Sequence, residues 1–167
     1  RQDYYEAFRW SKAAAEQGDE KAQYSLGNCY YNGEGVKRDY NEAFRWYEAA
    51  AEKGYAEAQF NLGLCYYYGE GVRQDYNEAF RWFKAAAEQG HAEAQWNLGL
   101  CYDVGKGVKQ DHNEAFRWYK AAAEQGYAKA QNNLGNCYYY GEGVKQDYNK
   151  AFRWYKAAAE QGYANAQ

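Results

Sequence analysis

Proline, isoleucine, methionine and threonine are absent from these 167 residues, and only six Leu and five Val are present. Each absence excludes something. Without proline, no ring clash or missing N–H interrupts a helix. With so few aliphatic side chains a core of the ordinary kind cannot be assembled, and composition alone would point to disorder. No apolar run approaches the ~18 residues of a membrane span, so direct membrane insertion is not expected. Two Ser and two His offer few candidates for nucleophilic catalysis. The formal charge of −3 arises from 20 basic and 23 acidic residues interspersed along the chain. No segment carries the basic excess that nucleic acid requires.

What the chain does hold is aromatic, with 21 Tyr, 6 Trp and 7 Phe beside abundant Ala. Aligned on itself at 36 residues, its signposts coincide: Gly27, Gly63, Gly99 and Gly135; Trp10, Trp46, Trp82, Trp118 and Trp154; Gly18, Gly54, Gly90, Gly126 and Gly162. A period of this length indicates stacked supersecondary units. Each unit reads as two helices, about 56 to 68 and 76 to 89 in one copy, joined by GEGVRQ and closed by Gly90.

In the second helix, Asp75 and Glu78 have capping-box spacing, in which each side chain accepts from the other's free backbone N–H. Asp39/Glu42 and Asp111/Glu114 repeat it, while Lys150 stands opposite Asp147. Ala79, Trp82, Phe83 and Ala86 form the expected buried stripe, and Asn77, Arg81, Lys84 and Glu88 share the outward face. The Arg and Lys ladder of that face reads as a solvated, salt-bridged surface, and the Trp and Phe ladders read as core. In the first helix Ala58, Leu62 and Cys65 align. Gly63 costs ~1 kcal/mol relative to Ala in a helix, so close approach by Ala79 or the Trp82 ring is expected there.

One unit cannot exclude enough water alone. The expected fold is therefore all-α, a right-handed α/α superhelical solenoid of helix-turn-helix repeats with the first helices lining a concave side. It is expected to be a single array over 1–167: a partial unit 1–18, units 19–54, 55–90, 91–126 and 127–162, and the start of a further first helix at 163–167.

The stretch YYYGEGVKQDY, residues 138 to 148, invites reading as a phosphate loop, but it fits neither phosphate-binding glycine pattern. Its copies at every joint predict a plain turn, with glycines at positive φ and Val144 as anchor. The four cysteines occur once per unit, on helices that stack ~8–10 Å apart, too far for disulfides. Free buried thiols are expected, which point to a reducing compartment such as the cytoplasm. His91 and His112 read as surface substitutions, and neither metal nor cofactor is expected.

The wall of the first helices remains. Tyr24, Asn28, Phe60, Leu64, Tyr67, Tyr68, Trp96, Leu100, Asn132, Asn136 and Tyr139 are the expected partner-binding positions, because that face varies from unit to unit while the core letters do not. It is expected to be richest in apolar contacts around Phe60, Leu64, Tyr68, Trp96 and Leu100. Tyr and Trp give broad contact at low entropy cost, and Asn can bond a peptide backbone. The alternative is that these rings fill the space between adjacent first helices.

The pattern A-x-A-Q-x-x-L-G-x-x-Y followed by Y-G-x-G-V-x-x-D-Y-x-x-A-x-x-W-x-x-x-A-A-x-x-G runs from Ala56 to Gly90. It resembles the Sel1-like repeat, a relative of the tetratricopeptide repeat. The ordinary tetratricopeptide unit has a Trp where Gln59 stands and a late Pro that is missing here. The resemblance implies a non-enzymatic scaffold or adaptor with a protein or peptide partner. Some cysteine-rich members have been credited with β-lactam binding or hydrolysis, so a weak hydrolase is the alternative. Against it, paired cysteines and any Ser-x-x-Lys are lacking. Near-identity of the units also admits a designed or consensus scaffold without an evolved ligand.

Overall fold

The computed structural model describes residues 2–162, and the regular structure of the described residues is helical throughout: α1 (Gln2–Glu16), α2 (Glu20–Asn32), α3 (Tyr40–Glu52), α4 (Ala56–Tyr68), α5 (Tyr76–Glu88), α6 (Ala92–Val104), α7 (His112–Glu124), α8 (Ala128–Tyr140) and α9 (Tyr148–Glu160). The further first helix expected at 163–167 lies outside these residues. The fold is an all-α helical repeat. Two compact units divide between Ala86 and Ala87. In the first, α1 packs on α2, α2 on α3 and α3 on α4; in the second, α6 packs on α7, α7 on α8 and α8 on α9.

Caps set the helix ends. The Asp39 carboxylate accepts from the N–H groups of Asn41 and Glu42, at 2.9 and 3.1 Å, and Asp75 and Asp111 do the same for α5 and α7. The reciprocal half of the expected capping box differs: Glu42, Glu78 and Glu114 turn outward and pair with Arg45, Arg81 and Arg117 one turn on. Each first helix ends on a left-handed glycine, as at Gly69, whose N–H donates to the Cys65 carbonyl at 2.9 Å. His91 is no bland surface substitution, since its Nδ1 accepts from the Ala94 N–H at 3.1 Å and caps α6.

The core is a ring set into a notch. A methyl group added at Gly63 would lie 2.7 Å from the Phe83 ring, and one at Gly99 2.6 Å from the Tyr119 ring. The ring that fills the notch is thus the one after each tryptophan, not Trp82, which is only half-buried, while Ala79 does approach as expected, its carbonyl 3.4 Å from a methyl at Gly63. Tyr47, Phe83 and Tyr119 are at most 2% exposed, and Leu26, Leu62, Leu98 and Leu134 are fully buried, each contributing ~1.5–3 kcal/mol. The Trp and Phe ladders are correspondingly half-buried rather than core, with Trp10 78% and Phe152 67% exposed. Phe44 meets Tyr66 edge-to-face at 5.4 Å between ring centroids, and Phe116 meets Tyr138 likewise at 5.5 Å, so these rings join α3 to α4 and α7 to α8. Gln59, where a tetratricopeptide unit has Trp, is buried and donates to the Ala51 carbonyl at 3.3 Å; Gln131 repeats the bond to Ala123.

Candidate functional site

Where the turn between the two helices of a repeat reads Gly-Glu-Gly, it places one carboxylate on the wall of the repeat before it; the turn after α6 holds Lys106 instead. In Gly141-Glu142-Gly143 both glycines have positive φ, 73° and 71°. Any side chain at Gly143 would collide with the backbone carbonyl of His112, so the turn lies directly on the start of α7 and carries Glu142 to that place. Gly71 lies on the Tyr40 carbonyl in the same way and carries Glu70. The glycines take positive φ, as expected, and Val144 is packed against the core of the second unit.

Each unit has a groove between its consecutive first helices. In the first unit a cavity of ≈ 220 Å³ is lined by Asn28, Tyr31, Asn32, Tyr47, Asn61 and Leu64. The Tyr47 hydroxyl donates to Asn28 Oδ1 at 2.7 Å, and the Tyr31 hydroxyl to Glu70 Oε2 at 2.8 Å, while the Tyr31 ring packs at a tilt against Tyr40, 5.1 Å between centroids. In the second unit a cavity of ≈ 230 Å³ is lined by Asp103, Tyr119, Asn133, Asn136, Cys137, Tyr140 and Glu142. There the Tyr119 hydroxyl donates to Asp103 Oδ2 at 3.1 Å, and Asp103 Oδ1 lies 2.9 Å from His112 Nδ1. Burial, with the Asp103 charge and this bond added, pushes the Tyr119 phenol well above its ordinary range. In the first unit burial likewise raises Tyr31, whose bond to Glu70 adds to it.

The four thiols are free and buried. Burial pushes Cys65 up to about 12 and Cys101 up to about 11; burial and then the charges of Asp103 and Glu142 push Cys137 up to about 12. Such thiols are protonated at neutral pH and make poor nucleophiles.

A family model for the Sel1 repeat matches residues 1–19, 20–55, 56–91, 92–127 and 128–163. The chain belongs to the Sel1 repeat family. Sel1 repeat proteins are generally protein-interaction scaffolds rather than catalysts. Among solved structures, a protective antigen of uropathogenic Escherichia coli with an SLR fold is 45% identical over 95% of this chain and 34% of its own, with a TM-score of 0.93. A Sel1 repeat protein of Oxalobacter formigenes is 40% identical over 97% of this chain and 64% of its own, TM-score 0.89. An immunity protein of Pseudomonas aeruginosa is 25% identical over 95% and 59%, TM-score 0.61. The chain thus spans about a third of the antigen's length and under two thirds of the Oxalobacter protein's. No curated protein sequence matches it.

Within this Sel1 array the expected contact residues divide into three groups. Asn28 and Leu64 line the groove of the first unit and Asn136 that of the second. Asn28 and Asn136 are also used internally, as acceptors for Tyr47 and, at 2.6 Å, Tyr155. Tyr68, 63% exposed, and Tyr139, 44% exposed, stand outward; Tyr139 meets Tyr148 edge-to-face at 5.2 Å between ring centroids, and Tyr67 meets Tyr76 in the same way at the same distance.

The third group is buried or half-buried against neighbouring side chains. Phe60 is a correction: it is 4% exposed and packs on Phe83 at 5.9 Å, so it offers a partner no surface. Tyr24 packs between Tyr47 and Tyr55, and Trp96 on Tyr127, its indole N–H donating to Asn133 at 2.9 Å and Lys129 lying over its ring. Leu100 packs against the core of the second unit, and Asn132 is half-buried on α8.

Sequence reasoning missed Asn61, Asn133 and the meeting of Asp103, His112 and Glu142. The available signal was that Asp103 and His112 both replace tyrosines of the repeat within one copy.

Proposed function

We propose that this Sel1 array is a non-enzymatic scaffold that holds a segment of a protein partner along the grooves between consecutive first helices. One observation carries the reading: a groove of nearly the same size recurs at the same place in each unit, α2 to α4 and α6 to α8, lined by the variable side of the repeat. Asn32, Asn61 and Leu64 in the first groove offer amide and apolar contacts suited to a peptide backbone and its side chains. Tyr68 and Tyr140, 63% and 65% exposed, add ring surface beside the grooves. The second helices present a salt-bridged face, Arg45 to Glu42 and Arg117 to Glu114, whose charges are already paired and solvated.

Photo-reactive phenylalanine analogues placed at Tyr68 and Tyr140, and for comparison at Arg45 and Arg117, test this in lysate of the source cells. Protein adducts from the first pair and none from the second are expected. Adducts from the Arg positions alone would overturn the assignment of the face.

A further inference from the structure

We propose that Asp103, His112 and Glu142 bind a divalent transition-metal ion of the Zn2+ class. This proposal does not depend on the scaffold reading. At the matching place in the first unit, the Tyr31 ring packs at a tilt against Tyr40 and its hydroxyl donates to Glu70 at 2.8 Å. In the second unit both tyrosines are replaced, by Asp103 and His112, and the glutamate is kept as Glu142. The exchange removes the hydroxyl donor and puts a second carboxylate in its place. Among the described residues no side chain donates to the Glu142 carboxylate. One candidate ligand atom from each of the three residues lies within 4.8 Å of the other two. A cation among them turns carboxylate repulsion into ligation.

The donor set selects the ion class. One imidazole nitrogen with two carboxylate oxygens suits Zn2+ and its first-row neighbours better than Ca2+ or Mg2+, which take oxygen ligands. Ligand atoms bound ~2.0–2.2 Å from one tetrahedral Zn2+ sit roughly 3.3 Å apart, so side-chain rotations on the order of 1 Å close the site. The surroundings are built to orient it. Tyr119 donates to the far oxygen of Asp103 at 3.1 Å, as an outer-shell partner of a ligating carboxylate does. Glu142 is fixed from behind by its own N–H, which donates to the Cys137 carbonyl at 3.0 Å, and by Gly143 lying on His112. His112 and Asp103 keep 44% and 31% of their side chains exposed, which gives an ion a route in and leaves a coordination position to water or to a partner's side chain.

The test is calorimetric titration of the full chain with ZnCl2, paired with Co2+ absorption spectra. Expected are one saturable site per chain and a Co2+ spectrum of nitrogen and oxygen ligation without thiolate charge-transfer bands. His112→Tyr, which restores the residue of the other repeats, and Glu142→Gln should each weaken binding by about 10- to 100-fold or more with helicity unchanged. His91 and the four cysteines remain in both variants and report any ion bound elsewhere. Absence of saturable binding below ~1 mM, or undiminished binding in both variants, would overturn the proposal.

Discussion

Between α2 and α4 the ring in the glycine notch, Tyr47, donates its hydroxyl hydrogen bond to Asn28; between α6 and α8 the equivalent ring, Tyr119, has Leu100 where Asn28 stands and turns to Asp103 instead. The remaining copies complete the rule. Tyr155 is served by Asn136, and Phe83, with no hydroxyl, has Leu64 at the matching position. A buried phenol requires an acceptor, and the wall supplies one or the ring drops its oxygen. The comparison teaches that variation along the first-helix wall has two sources: satisfaction of the core beneath it, and chemistry offered outward. Asn28 and Asn136 belong at least in part to the first. Asp103 serves both, since one oxygen holds Tyr119 and the other faces His112 and Glu142.

The largest effects should ignore the difference between the units. Leu62→Ala and Leu98→Ala each remove a fully buried side chain from the shared frame. Each should cost ~2–5 kcal/mol in urea unfolding, and a loss confined to one unit would show that the frames are not equivalent. Next comes the hydroxyl. Tyr47→Phe should cost ~0.5–1.5 kcal/mol, and Tyr119→Phe more, toward the lower end of ~1.5–3, because its acceptor is a carboxylate still partly wet. Equal losses would remove the distinction between the two acceptors.

Alkaline pH separates the units more finely. Burial pushes Cys65 and Cys137 up to about 12 and Cys101 up to about 11, so the folded chain keeps protons that the unfolded chain releases near the ordinary thiol value of 9.0. Stability is therefore full below about 9 and falls as pH rises toward about 12, by up to ~1.4 kcal/mol per pH unit for each thiol. Asp103 and Glu142 add to the rise at Cys137, as Glu70 does at Cys65. Asp103→Tyr should then lower Cys137 alone, seen as faster alkylation at high pH. The smallest effect is the triple exchange Leu100→Asn, Asp103→Tyr and His112→Tyr, which gives the second unit the residues of the first at all three places. Its stability should stay within about 1 kcal/mol of the parent without added metal, since the tyrosine put at 103 would again donate to Glu142 and the asparagine put at 100 would accept from Tyr119.

Much of this was legible in the 36-residue period. Helices expected over 56 to 68 and 76 to 89 are observed as Ala56–Tyr68 and Tyr76–Glu88, because Asp caps and left-handed glycines are local signals. What failed depended on a single step of helix rotation or on distance in sequence. Trp82 and Phe83 are neighbours on one stripe, and only packing decides which ring enters the Gly63 notch. Phe60 reads as surface because its position holds Tyr24, Trp96 and Asn132 in other copies, yet its ring is buried against Phe83 of the paired helix. Asp103 and His112 stand nine residues apart across a turn, and Glu142 comes from the next repeat. No helical spacing announces such a meeting.

Diffraction from crystals equilibrated with Zn2+, measured on both sides of its absorption edge, tests the difference between the two grooves most directly. An anomalous peak is expected about 2.0–2.2 Å from side-chain atoms of Asp103, His112 and Glu142, with none beside Tyr31, Tyr40 and Glu70. Peaks at both places, or none at the first, would contradict it.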